Sequence, residues 1–267
     1  MIGVYLLHPV LAILCGALVG FTLGLIGGGG SIMATPLLLY VVGLSPHLAI
    51  GTGALAVSAN SFVNFGGHAR CGNVRWRSAI MFALIGMVGA AIGSTLGKTF
   101  DGQRLLFLFA MLMIVVGIMM LRRGARSEAP SGVQEERLTA AAVAKVAAAA
   151  LVVGVLSGFF GIGGGFLIVP GLLFSTGMPM IFAVGSSLLA VGSFGLTTAV
   201  NYGWSGLVDW PVAAEYIAGG IAGGMLGMHL CNRLAPRKAV LNKVFAGLVF
   251  VVAAYMLHRN AGALTFL

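Results

Sequence analysis

The residues best equipped for chemistry in this chain are two runs of glycine, "GGGGSIMATP" at 27–36 and "GIGGGFLIVP" at 161–170. Glycine has no Cβ, so an anion can approach its backbone N–H groups closely, and the chain can turn there with positive φ. Ser31 is a suitable N-cap for a short helix starting after the first run. The N-terminus of that helix would present free N–H groups and a positive dipole end. Gly27, Gly28, Gly29, Gly30 and Ser31, with Gly161, Gly163, Gly164 and Gly165, are therefore the candidate anion ligands. The competing reading is that glycine merely lets helices pack closely. It suits the rows spaced by four, Gly16-Gly20-Gly24, Gly89-Gly93-Gly97 and Gly219-Gly223-Gly227. The two runs are consecutive rather than spaced, which favours a ligand.

Neutral polar side chains could complete such a site. Thr52 in "GTG" matches Ser186 in "GSS", with Ser187 beside it. Asn60 and Asn64 share one helix face at i, i+4, and Thr197, Thr198 and Asn201 stand at comparable positions later in the chain. Each can serve as an interhelical hydrogen bond or as a ligand contact; as a ring, they favour an oxyanion. His68 and Arg70 follow the asparagine helix and are either a candidate basic gate or ordinary positive anchors at the membrane surface.

These groups have to be held by a membrane protein. Of 267 residues, 59% are hydrophobic and 8% charged, and the mean hydropathy is +1.06; soluble domains carry about 25% charged residues. No Asp, Glu, Lys or Arg occurs between Met1 and Ala69 or between Val146 and Val208, the stretches that hold the glycine runs. The net charge of +9 comes from clusters between apolar segments, which orient a chain in a bilayer, so nucleic acid is not an expected partner. Cys15, Cys71 and Cys231 lack metal-ligand spacing, and neither a metal nor a cofactor is expected. The start has no basic n-region or cleavage site, so no cleaved signal peptide is expected. Of the six acidic residues only Glu215 falls within an apolar segment, which argues against a cation as substrate. No Ser/His/Asp set or HExxH motif stands out, and an enzyme is not expected.

Sliding the chain along itself exposes a duplication. Moving Gly24, Gly27, Gly30, Pro36, Gly43, Gly72 and Trp76 forward by 134 positions lands on Gly158, Gly161, Gly164, Pro170, Gly177, Gly206 and Trp210. Trp and Pro are rare enough to make the match informative. The expected organisation is a first transmembrane repeat at 1–121, an exposed linker at 122–138 and a second repeat at 139–267. Each half reads as a long apolar segment (5–26; 139–160), the glycine run and a short piece (32–43; 166–177). Three further segments follow, 46–66, 77–97 and 104–121, matched by 180–202, 211–230 and 240–257. A twelve-residue helix reaches roughly 18 Å, short of a hydrocarbon core of about 30 Å, so the short pieces are expected to be half-helices or tilted, broken spans. Arg70, Arg75 and Arg77 mark one loop of the first half, but the equivalent loop of the second carries only Asp209. The reversed bias predicts opposite insertion of the halves. The expected fold is all-α, with two inverted-topology repeats of about five segments each, about 8–10 transmembrane segments in total, and a glycine-broken helix in each repeat.

The paired motifs "GLIGGGGSIMATPLLL" and "GFFGIGGGFLIVPGLL", the following "AIGTGALAV" and "AVGSSLLAV", and the turns "GNVRW" and "GLVDW" resemble the TauE/SafE family of sulfite exporters. The resemblance spans most of the chain. It implies secondary transport of a small sulfur-containing oxyanion, with sulfite, thiosulfate and organosulfonates as candidates. Transport would be outward across a bacterial inner membrane, by alternating access around the two glycine segments. An anion channel or an importer of the same substrates fits the sequence equally. The expected partners are the anion and the lipid bilayer, with a homodimer as a further expectation from the small-residue faces; the linker 122–138 is expected in the cytoplasm.

Overall fold

A computed structural model describes residues 2–124, 140–161, 165–233, 247 and 250–259. Most of the expected linker, 125–138, and two candidate ligands, Gly163 and Gly164, lie outside the described residues. The described chain is all-helical. Helix α1 spans Ile2–Ile26, a 3-10 helix spans Gly27–Met33, and α2 to α5 span Ala34–Tyr40, Pro46–Arg70, Trp76–Thr99 and Gly102–Gly124. In the second half α6 to α9 span Ala140–Phe160, Gly165–Thr176, Met180–Trp204 and Trp210–Arg233, and residues 250–259 are helical. The boundaries of α3 and α4 reappear in α8 and α9 after the same shift of 134 positions.

Among the described residues five helices are long and apolar enough to cross a membrane, and shorter apolar helices lie at Gly30–Tyr40, Gly102–Val115 and Gly165–Thr176. Their outward faces suit lipid: Val10, Leu14 and Leu18 on α1, and Leu84, Val88 and Ile92 on α4, are exposed at four-residue spacing. Trp76 and Trp210, equivalent in the two halves, are exposed at the starts of α4 and α9, where an indole ring sits well at the membrane interface.

Glycine decides which helices meet. Gly16, Gly20 and Gly24 of α1 lie against the backbone of Tyr216, Gly220 and Gly224 of α9, so the two helices run parallel in close contact. The equivalent pair behaves alike, with Gly154 and Gly158 of α6 against Gly86 and Ala90 of α4. With lipid outside as apolar as the side chains inside, close backbone approach is a main source of helix–helix attraction. Helix α3 joins the first pair, placing Asn60 at Gly220 and Asn64 at Gly224; α8 joins the second, placing Phe194 at Gly86. The result is two parallel three-helix sheaves, α1/α3/α9 and α4/α6/α8, each taking helices from both halves.

Between the sheaves, α3 and α8 run antiparallel. Ala54 and Ser58 lie against Gly195, Phe62 lies against Gly192, and the Ser58 hydroxyl donates to the Gly192 carbonyl at 2.7 Å. Because α1 and α3 point the same way, the segment between them has to bring the chain back. Gly27 starts that reversal with φ of 73°, and Gly161 repeats it at 65°, a left-handed backbone that residues with a Cβ rarely adopt.

Candidate functional site

The two glycine segments meet at Gly28 and Gly165, where a Cβ on Gly28 would stand 2.6 Å from the Gly165 Cα. The described part of α7 begins at Gly165, and Gly28 is the second residue of the 3-10 helix. Two short helical segments, one from each half, therefore meet near their described starts; the first N–H groups of a helix lack an intrahelical acceptor, although the Gly161 N–H is taken up by the Gly158 carbonyl at 3.2 Å. Gly27 rests on Val184 of α8, Gly161 on the Ile50 side chain of α3, and Gly30 on Thr22 and Leu23 of α1. Backbone thus touches backbone at Gly28, Gly30 and Gly165, and these glycines have a packing role.

Ser31 differs from its expected role as a helix cap. It lies inside the 3-10 helix, where its hydroxyl donates to the Gly28 carbonyl at 2.9 Å, and the residue at the N-cap of α2 is Met33, which makes no side-chain cap. The physical reason is that 3-10 hydrogen bonding runs straight into α2. The first N–H groups of this helical stretch therefore belong to the start of the glycine run rather than to the Ser31 region.

The hydroxyl and amide candidates occupy several depths rather than one ring. Thr52 Oγ1 accepts from the Asp209 N–H and Ser186 Oγ accepts from the Arg75 N–H, both at 2.9 Å. These bonds are equivalent under the duplication; each ties a helix to the loop entering the other half's α9 or α4. Because α3 and α8 are antiparallel, the two hydroxyls stand at opposite ends of the pair. Thr52 and Asn64, twelve positions apart on α3, are separated by about 18 Å of helix. Ser187 and Thr197 donate to carbonyls in their own helix, those of Val184 and Ser193. Thr198 is buried, and its hydroxyl has no partner among the described residues. Asn64 donates to the Asn60 carbonyl at 2.9 Å, whereas the fully buried Asn60 side chain has no hydrogen-bond partner among the described residues at either polar atom. Asn60, Asn64 and His68 form a buried stripe along α3, and Arg70 is exposed at its C-terminal end.

Sequence reasoning missed a cationic node on α4. Lys98 Nζ donates to Asn201 Oδ1 at 2.7 Å, to the Asn201 carbonyl at 3.1 Å and to Ser205 Oγ at 2.9 Å. The Asn201 amide donates in turn to Ser94 and Thr95 at 2.6 and 3.0 Å. All three Lys98 acceptors lie at the C-terminal end of α8, whose dipole favours a cation. A lysine in the last turn of an apolar helix was the available signal. Ser58 was missed because its equivalent, Gly192, carries no side chain to complete a matched pair. Among the described residues no cluster of His, Cys, Asp or Glu could hold a metal ion.

A helical membrane protein whose two halves exchange contacts through broken segments has the architecture of a multi-pass transporter. The model of the family described as "Sulfite exporter TauE/SafE" matches residues 12–256. The chain belongs to this family of membrane transporters. It is 56% identical over 250 residues to a probable membrane transporter protein of Xylella fastidiosa (strain 9a5c), covering 93% of this chain and 95% of that one. It is 28% identical to the probable membrane transporter protein YunE of Bacillus subtilis (strain 168), over 87% and 92% of the two chains. A probable membrane transporter protein of Methanocaldococcus jannaschii is 26% identical over 95% and 97%. No solved structure matches the chain.

Proposed function

We propose that this protein is a secondary transporter that exports a small sulfur-containing oxyanion, of the class of sulfite, thiosulfate or an organosulfonate, across a bacterial inner membrane. The observation that carries the reading is the meeting of the two glycine segments, near the starts of short helical segments, at Gly28 and Gly165. Aligned peptide dipoles give each such end roughly half a positive charge, and free amides supply donors. An anion could thus be bound without a buried cation. Family membership supports a sulfur anion, and the absence of acidic residues from the stretches flanking the glycine runs supports an anion over a cation.

The antiparallel pairing of α3 with α8 supports an inverted topology, in which each half rocks against the other about the crossing. With Arg70, Arg75 and Arg77 on the cytoplasmic side, the linker at 122–138 is also cytoplasmic and both termini lie outside. In this scheme Gly163, Gly164 and Gly165 supply donors from one side, and Gly27 to Gly30 from the other; Gly161 makes the turn, its own N–H held by the Gly158 carbonyl at 3.2 Å.

The test is counterflow of radiolabelled sulfite, thiosulfate and a small alkylsulfonate into proteoliposomes. Exchange of label against an internal unlabelled pool, above empty vesicles, is the expected result. Flux that dissipates the gradient without exchange would mark a channel, and no flux of any of these anions would overturn the substrate class.

A further inference from the structure

The two three-helix sheaves share a backbone plan but differ in what lines them. In α1/α3/α9, Asn60 rests on the bare backbone of Gly220, and Asn64 fits between Gly24 and Gly224. Among the described residues the fully buried Asn60 has no hydrogen-bond partner for Nδ2 or Oδ1, and the buried Tyr216 hydroxyl, one turn before Gly220, has none either. Burying such groups unpaired in an apolar surrounding is costly, which selects against them unless something polar meets them.

In α4/α6/α8 the positions equivalent to Asn60 and Tyr216 hold Phe194 and Phe82. Their rings are stacked, with centroids 6.2 Å apart and planes inclined by 20°, and Phe194 lies over Gly86, the equivalent of Gly220. Beyond this pair, Thr198 and Tyr202 again present hydroxyls without a partner among the described residues. One seam is therefore polar through the middle of the molecule, whereas its counterpart is interrupted there by two aromatic rings.

We propose that the α1/α3/α9 seam, lined by Asn60, Asn64 and Tyr216, is the solvated half of the anion's route. It runs from the middle of α3 to its C-terminal end, and the Phe82–Phe194 pair is the hydrophobic gate that closes the equivalent half on the other side. The inference rests on the reading of the protein as an anion transporter. Neutral amide and phenol donors suit an anion in transit, since they bind it without the strong trapping of a buried cation. Helices α1 and α3 carry no acidic side chain to repel it, and the one on α9, Glu215, lies toward the start of that helix, before the stretch from Gly220 onward that flanks Asn60 and Asn64. A stacked aromatic constriction excludes water and hence a hydrated anion.

The test uses Asn64→Cys in a background with Cys15, Cys71 and Cys231 replaced by Ser, with Asn60→Cys as a second reporter. Membrane-impermeant anionic methanethiosulfonate is applied to inside-out vesicles and, separately, to intact cells. Modification about tenfold faster from the side of the α3 C-terminus is expected, and adding Phe194→Ala should abolish that difference. If both folded reporters stay unmodified from either side, or react equally from both sides with Phe82 and Phe194 intact, the proposal is overturned. Labelling does not depend on which anion is carried, so its failure is distinct from a failed flux assay. A transporter with a dry seam would show flux without labelling, and a wrong substrate class would show labelling without flux.

Discussion

The Ser58 hydroxyl donates a 2.7 Å hydrogen bond to the carbonyl of Gly192, the residue that occupies its own position in the second half. The bond joins α3 to α8 beside the place where Ala54 and Ser58 pack against Gly195. Ser58→Ala removes a buried donor and leaves a carbonyl already engaged in its own helix, so a loss of about 1 kcal/mol is expected. Thermal unfolding of the purified protein in detergent would register it as a lower Tm.

Thr52 and Ser186 should behave as a matched pair. Each accepts one loop N–H, from Asp209 and Arg75 respectively. Thr52→Val and Ser186→Ala should each cost about 1–2 kcal/mol, because a partly buried loop amide loses its acceptor. The sites stand at opposite ends of α3 and α8, so the double variant should equal the sum of the singles within about 0.5 kcal/mol. A double-mutant cycle on thermal stability measures this.

The glycines divide into those that hold backbones together and those that do not. A Cβ at Gly28 meets the Gly165 backbone at 2.6 Å, whereas one at Gly66 meets nothing within 4 Å. Gly28→Ala should cost about 1–3 kcal/mol through overpacking. Gly66→Ala, inside α3, should gain about 1 kcal/mol in helix propensity. Folded yield by fluorescence size-exclusion chromatography, followed by thermal scans, separates the two.

Lys98 should be needed to hold the C-terminal end of α8. Lys98→Met deletes three hydrogen bonds to Asn201 and Ser205. Hydrogen bonds to charged groups contribute about 1.5–3 kcal/mol each when well formed, but part-exposure and release of Asn201 to water reduce the net loss to about 1–3 kcal/mol. Faster amide exchange at 201–206 than in the unaltered protein is the readout.

A bound anion should stabilise the folded protein by mass action. At a ligand concentration of 100 Kd the gain is about 2.7 kcal/mol. A rise in Tm with sulfite, thiosulfate or an alkylsulfonate, and none with an equal ionic strength of chloride, is expected.

The sequence alone determined that the chain is helical and membrane-embedded, because few polar residues interrupt its apolar segments and a helix satisfies its own backbone in lipid. It also determined where the helices break. Consecutive glycines cannot sustain a span, and the positive-φ turns at Gly27 and Gly161 fall where the repeat put them. Tertiary structure alone decided the partners. An α-helix that is apolar all round has no hydrophobic face to read, and in lipid it is shape that selects neighbours, here the glycine rows on α1 and α9 against each other's backbone. That choice put α3 beside α8, with Ser58 bonded to Gly192, and tied Thr52 and Ser186 to loops of the opposite half. It also placed Asn60 in one sheaf and Phe194 in the other at equivalent positions. Residues equivalent along the chain thus acquired different surroundings, because periodicity fixes the order of the elements but not which surfaces meet.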